Sequence, residues 1–178
     1  MILEHLQRYV LLDFEASSLS RESWPVEVGL AWLDGTGKPA GWSSLICPHP
    51  DWPRSEWSPA SADVHGIRAD WLEAAPPAAA VAQEFVTRLA GRTLVSDAPE
   101  FEVRWLDRLL ATIGLGHTLS CLDYDAVTFS LFQGASLDRL YERLERLKAP
   151  HRAGPDSLRL AKAWARGLEV EGPDAPSP

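Results

Sequence analysis

The chain has 178 residues, with 17 Lys and Arg against 25 Asp and Glu, and a formal net charge of −8. This balance excludes a polybasic protein that coats nucleic acid, because neutralising phosphates requires clustered Lys and Arg. It is compatible with an enzyme that holds phosphate through bound cations, and 46% hydrophobic residues suffice for a normal core.

The first part of the chain predicts β-structure. Apolar segments at residues 9–12, 26–33 and 41–46 are joined by short connections, one of them the turn sequence Asp-Gly-Thr-Gly. Three such segments predict a meander of antiparallel strands. A loop rich in Pro, Trp and Ser follows at residues 48–59, and a short helix is predicted at residues 69–74.

From Pro77 onward, apolar residues recur at helical spacing. Helices are predicted from Pro77 to Gly91 and over three later segments, and short strands lie between them. The later helices are 99–113, 136–147 and 155–168, and the strands are 93–96 and 117–122. This order predicts a mixed sheet with helices packed on it, with a site at its open edge. Residues 1–170 are expected to form one domain, and residues 171–178 a frayed tail.

The sequence carries no sign of export or membrane insertion. Glu4 and His5 stand where a signal peptide requires an apolar run, and no segment has the ~18 consecutive apolar residues of a membrane span. Cys47 and Cys121 are too few for a disulfide scaffold. We expect a cytoplasmic protein that does not associate with membranes.

Two acids follow the apolar residues of the first strand. Asp13 and Glu15 lie two positions apart, so their side chains share one face of the strand. Neighbouring carboxylates that lose hydration repel each other, so either one takes up a proton or a cation lies between them. Mg²⁺ or Mn²⁺ fits the second case. Taken alone, the pair favours the simpler interpretation, a strand that emerges into solvent.

Two further groups of polar residues lie near helix starts. His151 lies on the loop before the last helix, and Asp156 falls in its first turn, since Pro155 suits the first helical position. Asp156 is then either an acid favoured by the helix dipole or a metal ligand, with His151 as a proton acceptor. Glu102 shares the apolar stripe of its own helix, and an inward acid needs a partner such as a cation. Asp97, three residues before Glu100, matches a capping box in which it is the N-cap.

Together these motifs resemble the DEDDh (DnaQ-like) 3′–5′ exonuclease family. The matching elements are D-F-E at residues 13–15, H-G-I at 65–67, the Phe-acid step at 101–102 and H-x-x-x-x-D at 151–156. The resemblance therefore extends from Asp13 to Asp156. It implies an α/β fold of the ribonuclease H-like type, a mixed five-stranded sheet flanked by helices.

The resemblance also implies an activity, cofactors and site residues. The activity is hydrolysis from the 3′ end of single-stranded DNA or RNA, or of short oligonucleotides, with two divalent cations (Mg²⁺ or Mn²⁺) and release of nucleoside 5′-monophosphates. Some members of the family are homodimers. By position, the metal ligands are Asp13, Glu15 and Asp156, the general base is His151, and the terminal nucleotide is received by Ala16, Ser17, Leu19 and His65.

The middle motif departs from the family pattern, because Glu102 follows Phe101 where the family has Asp. Three alternatives stay open: Glu102 reaches the metal itself, Asp97 replaces it as a ligand, or activity is reduced. An alignment without a gap favours Glu102. The alternative function is a catalytically impaired exonuclease fold used as a nucleic-acid-binding or interaction module.

Two features outside these motifs allow two interpretations each. Trp52 and Trp57 either stack on bases or cover the core, and the interpretation that they cover the core is favoured. Glu27 either lines the rear of the site or pairs locally.

Overall fold

A five-stranded sheet in the order β3-β2-β1-β4-β5 organises the computed structural model, which describes residues 2–169. β1 and β2 are antiparallel, as are β2 and β3, whereas β4 is parallel to both β1 and β5. The strands are β1 (Tyr9–Ala16), β2 (Pro25–Leu33), β3 (Pro39–Leu45), β4 (Thr93–Ser96) and β5 (Cys121–Asp123). This arrangement confirms the predicted mixed sheet and its antiparallel meander.

Eight α-helices accompany the sheet in the described part of the chain. They are α1 (Ile2–Leu6), α2 (Pro59–His65), α3 (Ala69–Glu73), α4 (Ala78–Leu89), α5 (Pro99–Ala111), α6 (Tyr124–Leu131), α7 (Ala135–Arg146) and α8 (Ala153–Leu168). Among residues 2–169, no helix combines the length and the apolar character needed to cross a membrane.

The sheet separates two apolar cores. On one face, α4 and α5 cover Val10, Leu12 and Phe14 of β1; on the other, Leu11 packs with residues of α8. Because side chains alternate along a strand, Asp13 and Glu15 continue the face of Leu11. Both acids therefore face the helix that carries the last predicted metal ligand.

The structure corrects the predicted ends of several elements. β1 continues to Ala16, so Asp13 and Glu15 lie within the strand and not beyond its end. The strand predicted at residues 117–122 is largely wrong, since only Cys121–Asp123 pairs with β4. The reason lies in the local backbone: His117 adopts a left-handed φ of 58°, and the side chain of Asp123 caps α6 immediately afterwards.

The starts of α5 and α8 also differ from expectation. Ala98, not Asp97, is the N-cap residue of α5, and the hydroxyl of Ser96 accepts the Ala98 N–H at 3.1 Å, so the predicted capping box is wrong. Phe101 is 46% exposed and packs on Trp105 rather than in the core. α8 begins at Ala153, two residues before Pro155. The predicted tail lies outside the described residues, and the single domain stays a prediction.

α8 approaches the sheet closely where it crosses β2 at Gly29. A Cβ atom at Gly29 would lie 2.0 Å from the carbonyl oxygen of Ala153. Gly29 is also the partner of Asp13 in the β1–β2 register. The missing side chain therefore lets the start of α8 lie directly beside Asp13.

We predict that Gly29→Ala destabilises the protein by about 1–3 kcal/mol, the usual cost of inserting a methyl group into a packed contact. The measurement is the free energy of unfolding from chemical denaturation. Gly35→Ala is the matched control, because no atom lies within 4 Å of a Cβ built there. Equal unfolding midpoints for the two variants would contradict the proposed close contact.

Candidate metal and nucleotide site

Three of the predicted ligands meet at one point. Asp13 and Glu15 on β1 and Asp156 on α8 each offer one carboxylate oxygen, and these oxygens lie within 4.8 Å of one another. We call these three residues the acidic cluster. Its geometry follows from the alternation of β1 and from the contact of α8 with Gly29.

Burial and mutual repulsion disfavour the charged forms of the acidic cluster. Burial, and next the charge of Glu15, raise the pKa of Asp13 well above its ordinary value. Burial, and next Asp156, raise the pKa of Glu15 to about 7. Burial also raises the pKa of Asp156, against an opposing hydrogen bond from the Arg152 backbone. Without a cation, the cluster therefore retains protons up to neutral pH.

Glu102 lies behind Asp13, as its inward position on α5 predicted. Only 4% of it is exposed, and burial followed by the charge of Asp13 raises its pKa well above the ordinary value. Its carboxylate is not part of the three-oxygen group of the acidic cluster. Asp97, by contrast, is exposed and lies 3.5 Å from Arg159 in an ion pair. Burial beside Asp13 favours Glu102 over Asp97 as the fourth acid.

The donor atoms of this region fit a hard divalent cation. All are carboxylate oxygens, the ligands that Mg²⁺ and Mn²⁺ prefer. Among the described residues, Asp156 Oδ1 and Glu102 Oε2 are buried without a hydrogen-bond partner. Buried polar atoms are normally satisfied, so these two oxygens indicate a missing positive partner.

His151 lies at the surface, between α7 and α8. It is exposed and adopts a left-handed φ of 55°, which is uncommon outside glycine. Its charge is among the influences that lower the pKa of Asp156, so the two side chains are electrostatic neighbours. His151 is thus next to the acidic cluster and open to solvent.

A pocket of about 280 Å³ opens beside the acidic cluster. Glu15 borders it, and three of the predicted nucleotide-binding residues line it: Ala16, Leu19 and His65. Leu19 is 73% exposed, and Val64 on the same pocket is also exposed. Apolar side chains that stay exposed at a pocket mouth are suited to contact with a flat base.

His65 has a defined hydrogen-bonding state. Its Nδ1 accepts the N–H of Ile67 at 3.0 Å, so the proton of the neutral ring resides on Nε2. Burial lowers the pKa of His65, which favours that neutral form. The ring therefore carries its proton on Nε2, an atom that is buried from solvent.

Ser17 follows Ala16 in the stretch that the resemblance assigns to the terminal nucleotide. It is fully buried and does not line the pocket. Its hydroxyl accepts the Trp24 N–H at 3.0 Å, and its own N–H donates to the Trp24 carbonyl at 2.9 Å. Ser17 thus fixes the chain that leaves β1, and its neighbours contribute the pocket surface.

Sequence reasoning missed the contact that holds the start of α8. Glu27 is buried and accepts two hydrogen bonds from the Arg152 side chain, at 2.9 and 2.7 Å, and one from the Ala153 N–H at 2.9 Å. Its partner is 125 positions away, so Glu27 does not pair locally. The only sequence signal is a charged residue inside the otherwise apolar strand β2.

The tryptophans of the loop before α2 belong to the core. Trp52 and Trp57 stack on Trp24, with ring centroids 6.1 and 6.0 Å apart. Trp24 itself is fully enclosed. This confirms the favoured interpretation, in which the loop covers the core.

No family model and no curated protein matches the sequence. Among solved structures, the chain is similar to Escherichia coli exonuclease I in complex with a dA16 oligonucleotide, with a TM-score of 0.63 and 13% identity over 89% of this chain. It is also similar to exonuclease I from Methylocaldum szegediense (TM-score 0.64, 13% identity, 90% of this chain) and to a full-length 3′-exonuclease (0.60, 16%, 90%).

The matched lengths differ between these proteins. The chain spans 40% of each of the two exonuclease I chains and 80% of the 3′-exonuclease. At such low identity the likeness shows the fold alone. The fold is the ribonuclease H-like α/β architecture of these exonucleases, as the sequence predicted.

Proposed function

We propose that this protein is a metal-dependent 3′–5′ exonuclease of the DEDDh type, acting on single-stranded or short nucleic acids and releasing nucleoside 5′-monophosphates. The observation that carries the proposal is the acidic cluster, which converges beside the pocket formed by Ala16, Leu19 and His65. Support also comes from the shared fold, since exonuclease I has been solved in complex with single-stranded DNA.

In this proposal Asp13, Glu15 and Asp156 hold two divalent cations, Mg²⁺ or Mn²⁺, and Glu102 completes the site behind Asp13. Such cations, when bound, lower the pKa of a water molecule and stabilise the charge of the phosphate and leaving oxygen. The buried, mutually repelling carboxylates supply a strongly negative site in a region of low dielectric constant, where that charge attracts cations most.

The pocket positions the terminal nucleotide. Leu19 and Val64 offer apolar contact to its base, and His65 lines the pocket with its ring largely buried. Because the pocket borders Glu15, a nucleotide held there has its phosphate above the acidic cluster. Fixing the reacting groups in this way contributes a large share of catalysis in hydrolytic enzymes.

His151 is the proposed general base. Histidine is the side chain best suited to accept a proton at neutral pH. Its place beside Asp156 puts it at the edge of the acidic cluster, and its exposure lets it pass the proton on to solvent.

One observation favours the second candidate, an impaired exonuclease fold that binds nucleic acid without cleaving it. Glu102 replaces the usual Asp, and its carboxylate lies outside the three-oxygen group. Release of mononucleotides from a labelled oligonucleotide, with Mg²⁺ or Mn²⁺ and then with EDTA, separates the two functions. Binding without metal-dependent release would support the second candidate. The homodimer and the cytoplasmic location stay predictions.

We predict that Asp13→Asn and Asp156→Asn each lower the cleavage rate by at least about a hundredfold, because each removes a carboxylate that holds the metal. Both variants remain folded, since each removes a repelling charge from the acidic cluster. The measurements are the rate of mononucleotide release and the circular dichroism spectrum. Asp51→Asn, at an acid whose side chain is 89% exposed, is the control. Near-normal rates in either cluster variant would refute the assignment.

We predict that Glu102→Gln lowers the cleavage rate more than Asp97→Asn does. Glu102 is buried beside Asp13 with an unsatisfied oxygen, whereas Asp97 is exposed and paired with Arg159. The rates of both variants are compared at several Mn²⁺ concentrations. The reverse order would make Asp97 the fourth acid.

We predict that the metal-free protein loses stability as the pH rises from about 5 to about 8, in part through Glu15. The pKa of Glu15 is about 7 in the folded protein against the ordinary 4.5, so the folded state binds more protons than the unfolded state in this window. The free energy of unfolding therefore falls through the window and stays low above it.

The measurement is Tm against pH in EDTA for the wild type and for Glu15→Gln, which lacks the titrating carboxyl. We expect a steeper fall for the wild type and a larger rise of its Tm on adding Mg²⁺ at high pH than at low pH. Parallel curves for the two proteins would show that Glu15 is not held at a raised pKa.

A further inference from the structure

Positive charge is concentrated on one side of this acidic protein. Residues 135–169, which include α7 and α8, contain eight Lys and Arg against five Asp and Glu, although the whole chain carries −8. The whole chain has three lysines, and two of them, Lys148 and Lys162, lie in this segment. The remainder of the chain is correspondingly more negative.

These cations line two adjoining depressions. A groove of about 480 Å³ next to β3 is lined by Lys148, Arg159 and Lys162, and none of its described lining residues is acidic. Gly154, two residues before Asp156, also lines it. A second depression of about 420 Å³ shares Lys162 and runs between α7 and α8, where Glu142 and Glu169 line it together with several arginines. We call the following five residues the basic track: Arg143, Lys148, Arg159, Lys162 and Arg166.

The basic track starts near the acidic cluster. Arg159, Lys162 and Arg166 follow Asp156 at spacings of three, three and four residues. The three cations share one face of α8 and form a stripe that begins about one turn beyond Asp156. Over the ten residues from Asp156 to Arg166 the helix rises about 15 Å. The stripe therefore ends about 15 Å from Asp156.

Arg159 pairs with Asp97 at 3.5 Å, but neither ion pairing nor helix stability accounts for the lysine of this stripe. Arg166 lies in the last turn of α8, where the helix dipole favours a cation, and it pairs with Glu169. Lys162 lies in the interior of the helix, and its neighbours at three and four residues are Arg159 and Arg166. Like charges at these spacings destabilise a helix. Among residues 2–169, neither Lys162 nor Lys148 has an ion-pair partner.

We infer that the basic track binds the phosphate backbone of the nucleic-acid strand on the 5′ side of the scissile phosphate. This inference rests on the proposed function, which places the 3′ end in the pocket and the scissile phosphate at the acidic cluster. A row of cations that leaves the cluster matches a row of phosphates that leaves the reaction site. A length of 15 Å spans more than one successive phosphate of a single strand.

The test compares Lys148→Gln/Lys162→Gln with Lys38→Gln, the same substitution at the third lysine, which lies in the β2–β3 turn. Binding of a fluorescent twelve-nucleotide oligothymidylate is measured by anisotropy in EDTA, so that no cleavage is required. We expect the double variant to bind roughly tenfold more weakly at about 0.1 M salt. The slope of log affinity against log salt becomes shallower by about 1.4, which is about 0.7 for each lost phosphate contact. Lys38→Gln binds as the wild type does.

A second readout uses substrate length. With Mg²⁺, the double variant loses more kcat/KM on the twelve-nucleotide substrate than on a dinucleotide, because a dinucleotide is too short to reach the track. Equal losses on both substrates, or wild-type affinity and salt slope, overturn the inference.

The outcomes also separate this inference from the proposed function. If the wild type cleaves no substrate with any metal but the double variant binds more weakly, the proposed function fails and the track stands. If the wild type cleaves and the double variant binds as the wild type does, the track fails and the function stands.

Discussion

The site depends on the contact between the start of α8 and strand β2. Apolar burial holds the rest of α8 against the sheet, but that force is non-directional and does not fix the helix along its axis. The three hydrogen bonds to Glu27, together with the carbonyl of Ala153 above Gly29, do fix it. Asp156 faces Asp13 and Glu15 because this contact sets both the height and the rotation of the helix.

The same contact increases the electrostatic cost of the site. Glu27 is the register partner of Glu15, and its charge helps to raise the pKa of Glu15, whereas Arg152 opposes that effect. Arg152 thus neutralises Glu27, which holds the start of α8, whereas the carboxylates of the acidic cluster have no such cationic partner among the described residues. Such an arrangement lowers the stability of the metal-free protein and leaves a negative charge that attracts cations. A loss of stability at a functional site is a common trade-off in proteins.

Much of the fold followed from the sequence, because its signals are local. Alternation along β1 placed Asp13 and Glu15 on one face, and helical spacing directed Glu102 inward. The contacts that sequence reasoning missed join distant parts of the chain. The ion pair between Arg152 and Glu27 joins residues 125 positions apart. Ser17 is hydrogen-bonded to Trp24 through a loop geometry that the periodicity of the sequence does not predict.

Net charge illustrates the same limit. The value of −8 argues correctly against a protein coated with cations, yet it averages over an acidic body and a basic face beside α8. Since exposed charges interact over only about 10 Å at physiological salt, a phosphate responds to the local face and not to the total. In the proposed function, an acidic surface elsewhere would repel nucleic acid from unproductive positions, so the same charges that lower overall affinity would favour approach along α8.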